Sequence, residues 1–222
     1  MLIHPYDSAA SEEEWRNWIL QGPRFGVLAV NAGEGRPPLL VPTHFSLRTN
    51  EILIHLHKAN SAVELLEAGA PASLSVVDDY AFVPNQWRAK DSSNPTDGVP
   101  TSYYAAVVFG LMPRVVWEPA QVAEILQAQM DDFQPDGGYA EVTPEALPYG
   151  PMMQIIRGVR FEILSVEAKF KYDDHKPAEF RQAVAEKLMD RNHHTDAGAA
   201  AQQLRRLTPQ YASEPLAQQR LN

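Results

Sequence analysis

Two periods alternate along this 222-residue chain, one near two residues and one near four, and they divide it into strands and helices. Ser11-Glu12-Glu13-Glu14 has the spacing of a capping box, with a helix after it that stops at Gly22-Pro23. Phe25 to Val30 reads as a short apolar strand. Asn31 to Gly35 reads as a hairpin loop, and Leu39 to Leu47 as the return strand. Arg48-Thr49-Asn50 turns the chain into a strand from Ile52 to His57. Ser73 to Val77 and Tyr80 to Val83 read as two strands joined by a turn at Asp78-Asp79. Residues 84 to 100 form a long polar loop, of a length that is often functional. Tyr103 to Trp117 is one long strand or two collinear ones.

Pro119 opens a helix to about Phe133, at a position that tolerates proline. Residues 134 to 151 are loop-like, with a short helical piece starting at Thr143-Pro144. In the stretch from Val159 to Tyr172, the apolar positions Val159, Phe161 and Ile163 alternate. The phase then slips to Leu164, Val166, Ala168 and Phe170, the mark of a β-bulge. Pro177 opens a final strong helix through Asp190, residues 198 to 207 add a short one, and the last fifteen residues read as a loose tail. Antiparallel-looking strands with helices at the start, middle and end predict a mainly β (α+β) fold, a small barrel with helical additions. The expected organisation is one domain over 1–190, with a C-terminal helical extension and tail over 191–222.

Composition removes several function classes. The net charge is −9, so neither a basic face nor direct DNA binding is expected. There is no cysteine, which excludes disulfides and thiolate chemistry and fits a cytoplasmic location. No run approaches the ~20 apolar residues of a membrane span, and the N-terminal MLIHPYDSAASEEE does not read as a secretory signal.

The most chemical stretch is HLHKANSAVE, residues 55 to 64. Ser61-Ala62-Val63-Glu64 reads as a second capping box, so a helix starts at Ser61 and stops at Gly69 with Pro71 beyond. Lys58 adds a positive charge just upstream of that helix, and Asn60 and Ser61 add short hydrogen-bonding groups. Together they suit a phosphate monoester. An ordinary strand-to-helix turn with a surface lysine has the same pattern. His55 and His57 share a strand face, and His44 on the neighbouring strand could join them as a zinc or iron set. No carboxylate is placed to orient them, and histidines lining a pocket are the preferred reading. Lys169 and Lys171, on one face of the last strand, could meet an anionic ligand or simply form a solvated edge.

In their order and spacing, four segments resemble the PaiB family, described as FMN-binding negative transcriptional regulators. They are PTHFSL with His44; HLHKANS with His55, Lys58, Ala59 and Asn60; YAFVPNQW followed by VPTSYYAAVVFG, with Trp87, Pro100, Thr101, Tyr104, Val107 and Gly110; and GVRFEILSVEAKFK. The resemblance covers most of the chain, to about residue 190. It implies an antiparallel Greek-key split β-barrel, homodimeric, with flavin mononucleotide in a cleft between subunits. It strengthens the phosphate reading at Lys58. It also makes Trp87, Tyr103 and Tyr104 candidate walls for the isoalloxazine ring and Thr101 a candidate hydroxyl donor. Ordinary core packing is the competing role for each aromatic.

The chain departs from the family pattern at Pro84 to Arg88, at Ser102, at His57 and in the loop AKDSSNPTDG. The functions these residues suggest are a flavin-dependent oxidoreductase-like or redox-sensing protein with a small-molecule substrate or electron donor, or a non-enzymatic regulator or interaction protein without flavin. No GxGxxG segment is present, so a nicotinamide reductant would dock transiently.

Overall fold

In the computed structural model, residues 1–90 and 93–208 are described. The elements in chain order are α1 (Glu12–Gln21), β1 (Phe25–Val30), β2 (Leu39–His44), β3 (Ser46–Leu47), β4 (Glu51–His57), α2 (Ser61–Glu67), β5 (Ala72–Val83) and β6 (Thr101–Val116). They continue with α3 (Pro119–Phe133), α4 (Tyr149–Met153), β7 (Ile156–Lys171), α5 (Ala178–Arg191) and α6 (Asp196–Arg205). The seven strands form one sheet in the order β2-β1-β5-β6-β7-β4-β3. The pairs β1/β2, β1/β5, β3/β4 and β4/β7 are antiparallel. This is the expected fold class, an antiparallel mainly β arrangement with flanking helices of the flavin-binding split-barrel type. Among the described residues, no helix is long and apolar enough to cross a membrane.

The chain forms two compact units. Of the described residues, the first contains Met1–Gln21, Val77–Val107 and residues 167–208; the second contains Gly22–Val76 and Val108–Val166. In the second unit α3 lies on a sheet face made of Leu53, Val116 and Ile156, to which it contributes Val122, Ile125 and Leu126. Gly158 permits that approach, since a Cβ there would come within 2.6 Å of both Ile125 Cδ1 and Val116 Cγ2. Ile52, Ile54 and Leu56 are buried as well, so β4 is covered on both sides.

In the first unit α6 is bound by charge. Glu14, on α1, accepts from the Arg206 guanidinium, from Arg205 Nη2 at 2.7 Å and from the Ala10 amide at 2.6 Å. Arg206 Nε also reaches Asp174 at 2.6 Å, as does Arg181 Nη2. Past Ser75, β1 no longer pairs with β5. The edge carbonyls of Tyr80 and Phe82 are taken by Thr195 Oγ1 at 2.5 Å and Arg191 Nη1 at 2.9 Å, which blunts an edge that could otherwise recruit another strand.

The structure corrects four local expectations. Asp78-Asp79 is not a turn: β5 runs unbroken, and Asp79 takes φ 53° inside it. The buried positions shift from Leu74 and Val76 to Ala81 and Val83, and this single left-handed residue absorbs the slip. The return strand from Leu39 is interrupted at Phe45, whose amide bonds Arg24 O at 3.1 Å. The helical piece expected at Thr143 forms only at Tyr149. Pro148 has no N–H to bond back four residues and disfavours helical backbone at Leu147. The fourth correction, at Asn60, belongs to the candidate site. The C-terminal helix begins at Asp196, two residues earlier than the pattern suggests, and most of the expected tail lies outside the described residues.

Candidate functional site

Strand β4 delivers the chain to the joint at Lys58. The Lys58 amide donates to Ile155 O at 2.8 Å, which extends the β4/β7 ladder by one bond beyond His57. The side chain is exposed, and its ammonium donates to Gln154 O at 3.2 Å. Asn60, and not Ser61, is the N-cap of α2. Its carboxamide oxygen accepts from the Ala62 amide at 2.9 Å, and its carbonyl accepts from Val63 at 2.9 Å. The capping-box reading was therefore one residue late, because Asn is as strong a cap as Ser. Two of the first amides of this seven-residue helix, those of Ala62 and Val63, are therefore spent on Asn60. What the joint offers an anion is side-chain chemistry, namely the ammonium of Lys58 and the exposed hydroxyl of Ser61.

The three histidines divide. His44 and His55 meet edge to face with ring centroids 5.3 Å apart, and His44 also meets Phe133 at 5.3 Å. His55 Nδ1 and Gln129 Oε1 are 2.6 Å apart, and Gln129 Nε2 donates to Leu53 O at 3.5 Å. His57 is turned to its own turn, with Nδ1 accepting from the Ala59 amide at 3.1 Å. No group of three metal-ligating side chains is found among the described residues. Burial, followed by the neighbouring His55, lowers the pKa of His44 against the opposing hydrogen bond from Gln129.

A prediction follows for pH. With the folded pKa below the ordinary 6.5, the unfolded chain binds the proton first as pH falls through that value, so stability declines there and recovers as pH rises. An NMR titration should place the His44 midpoint below 6.5. A midpoint above that value would contradict the packing described.

The expected ring-side residues all lie in the first unit. Trp87 is half-buried and carries the Arg191 guanidinium 4.8 Å from its ring centroid. Thr101 Oγ1 accepts from Lys171 Nζ at 2.6 Å, and the same ammonium donates to Ser102 O at 2.8 Å. Burial lowers the pKa of Lys171. Tyr104 is half-buried beside Lys169 Nζ, 5.7 Å from the ring centroid. Lys169 itself is buried and donates to Leu2 O at 2.8 Å, so this lysine pair holds the N-terminal segment and the start of β6. Tyr103 must be corrected as a ring wall. It is 0% exposed, and its hydroxyl donates to Asp173 at 2.9 Å and accepts from Gln203 at 3.2 Å. Strand alternation turns Tyr103 inward and leaves Tyr104 outward.

Sequence reasoning missed Arg157 and Trp117, both in the second unit. Arg157 stands opposite Leu56 on β7, next to the Lys58 joint. Its Nη1 donates to Ile156 O at 2.8 Å, and its Cζ lies 4.9 Å from the Trp117 ring centroid. Trp117 is 56% exposed. Neither residue stands in a motif; the β4/β7 register places Arg157 on the strand beside the joint, and Trp117 meets Arg157.

A cavity of about 520 Å³ lies at the other end of β4, lined by Arg48, Glu51, Met112, Arg114, Arg160 and Glu162 among others. Two of its arginines are tied down by carboxylates: Arg160 by Glu51 and Glu124, both at 2.7 Å, and Arg48 by Asp132 at 3.0 Å.

The fold is that of the flavin-binding split-barrel class. The fold is shared with an FAD and heme binding protein from Mycobacterium smegmatis, at 17% identity over 79% of this chain and 78% of that one, TM-score 0.58. It is shared with a flavocytochrome from Azotobacter vinelandii, at 16% identity over 75% and 70%, TM-score 0.55. It is shared too with a putative 5-nitroimidazole antibiotic resistance protein from Bacteroides thetaiotaomicron, at 10% identity over 73% and 85%, TM-score 0.55. At such identities the likeness establishes the fold alone. No curated protein matches the sequence. Residues 1–165 match the family described as "Putative FMN-binding domain", and the chain belongs to that family.

FMN is accordingly the cofactor of this chain. The donor set at the joint suits it: an exposed ammonium and an exposed serine could meet a phosphate, with Arg157 opposite Leu56 on the adjoining strand.

Proposed function

We propose that this protein is a PaiB-like flavin-dependent redox protein that seats the FMN phosphate at Lys58. The observation that carries the reading is the exposed Lys58 ammonium, held at the β4–α2 joint by Gln154 O in a chain of the FMN-binding family. Bound FMN supplies electron and hydride transfer at its ring. Lys58 neutralises the phosphate, Ser61 offers it a hydroxyl, and Asn60 keeps the turn in shape by capping α2. His44 and His55 belong to the proposed pocket as rings held by Phe133 and Gln129.

The electron donor and the substrate are proposed to be small molecules. Any regulatory effect is proposed to act through that chemistry, without direct DNA contact, given the net charge of −9.

The test is FMN titration followed by quenching of flavin fluorescence. Wild-type protein takes up FMN, and Lys58→Ala weakens uptake by about 1–3 kcal/mol, the range for a lost charge-assisted bond. Undiminished affinity in the variant removes the phosphate seat; no uptake by the wild type removes the flavin function.

A homodimer is part of the proposal. Phe25 and Leu40, on the same outward face of the paired strands β1 and β2, are 61% and 60% exposed, and Val27 lies between them. An apolar sheet face of this kind is suited to burial against its own copy. Sedimentation velocity at micromolar concentration should give a dimer; a monomer there would refute this part.

A further inference from the structure

We propose that the cavity at the start of β4 binds a free α-amino acid with an apolar side chain. Its volume of about 520 Å³ falls within the roughly 300–1,000 Å³ of small-molecule sites. The residues that line it belong to the second unit. Strand β4 runs from Glu51 to His57, so about 20 Å of strand separates the cavity from the Lys58 joint. The site is therefore distinct from the proposed FMN seat and does not rest on it.

Most of the charges around the cavity are spent on one another, through the pairs of Arg160 with Glu51 and Glu124 and of Arg48 with Asp132. Arg114, from β6, and Glu162, from β7, are not. Among the described residues neither side chain has an ion pair or a hydrogen bond, with the other or with any neighbour. Glu162 also stands directly opposite Glu51 across the antiparallel β4/β7 pair, where like charges repel. Arg160 relieves Glu51 alone. The cavity thus presents one uncompensated guanidinium and one uncompensated carboxylate.

A ligand that answers both carries a carboxylate and a cation. The fork of Arg114 meets a carboxylate with two parallel bonds, and Glu162 accepts from an ammonium. Glu162 repels a dianion and Arg114 repels a diamine, so the pair selects against either. Met112, 39% exposed, and Pro113 beside it give the ligand's side chain an apolar wall.

Isothermal titration calorimetry of the purified chain with leucine, N-acetyl-leucine and leucinamide tests this. Leucine should bind saturably. N-acetyl-leucine lacks the ammonium and leucinamide the carboxylate, and each should bind about tenfold more weakly, as loss of one charge-assisted contact implies. Arg114→Gln should weaken leucine by about tenfold and leave leucinamide unchanged; Glu162→Gln should weaken leucine equally and leave N-acetyl-leucine unchanged. Both residues are exposed, so neither substitution disturbs the core, and circular dichroism checks that. FMN affinity should stay within about twofold in both variants, since the joint lies beyond the screening length. Absence of leucine binding at millimolar concentration overturns the inference. So does equal affinity for leucine and its two blocked analogues, or tighter binding of succinate or putrescine than of leucine.

Discussion

Replacing Glu14 with alanine destabilises the protein by about 3–5 kcal/mol, the usual cost of removing one partner from a buried ion pair. The side chain of Glu14 is 0% exposed and that of Arg206 is 2% exposed. The variant leaves the Arg206 guanidinium inside the first unit with Asp174 as its remaining carboxylate, and it strips the Ala10 amide of its acceptor. Asp174 cannot make up the loss. It already accepts from Arg181, and burial raises its pKa, so its charged form is disfavoured there. Domains of this size are stable by roughly 5–15 kcal/mol, so the variant approaches the limit of folding. Urea melts measure the effect. Exchanging Glu14 and Arg206 together for apolar residues of similar volume should recover most of it, because no unpaired charge is then left buried. A Glu14→Ala variant within 1 kcal/mol of wild type, an order-of-magnitude threshold for exposed pairs, would show that the pair is solvated and the burial of α6 misread.

Asp173→Ala is expected to cost a similar amount, about 3–5 kcal/mol, through two separable effects. Asp173 accepts from the Arg88 guanidinium and from the Tyr103 hydroxyl at 2.9 Å. Tyr103 is fully enclosed, and burial, followed by the adjacent Asp173 charge, drives its hydroxyl far above the ordinary tyrosine range; it is a permanent donor. Among the described residues Arg88 Nε is buried without a hydrogen-bond partner, so loss of Asp173 leaves that guanidinium badly under-satisfied.

The second effect is conformational. Asp173 has φ 57°, a backbone state that Asn tolerates and Ala does not. Asp173→Asn should therefore cost less, about 1–3 kcal/mol, since it removes the charge and keeps the geometry. Hydrogen exchange should rise at residues 84–90 in both variants, because Arg88 ties that stretch to the end of β7. Protection there unchanged from wild type would refute the anchoring role.

Much of the fold was legible because it is written locally. Strand β1 and helix α3 have the limits that their periods and punctuation suggest, Phe25–Val30 and Pro119–Phe133. Two of the misreadings share one cause. At Asp79 and at Asn60, a polar residue that commonly ends an element was given the wrong one of its two roles. Asp79 continues a strand through a left-handed residue, and Asn60 caps a helix whose pattern had suggested Ser61. The site was half legible. Lys58 stood out by charge and position, whereas Arg157 and Trp117 are unremarkable in sequence and gain meaning only from the β4/β7 register and a 4.9 Å cation–ring contact.

By itself, the order of residues determined which segments are strands and helices, that the chain carries no thiol chemistry, and that a cation precedes a helix after β4. These depend on neighbours within a few positions, where side-chain period and capping act. Only the tertiary structure decided that Tyr103 is sealed inside, that His57 parts from His44 and His55, and that Glu14 meets Arg206 across 192 positions of chain. Burial and long-range charge pairing depend on which surfaces the folded chain brings together, and no local pattern encodes that.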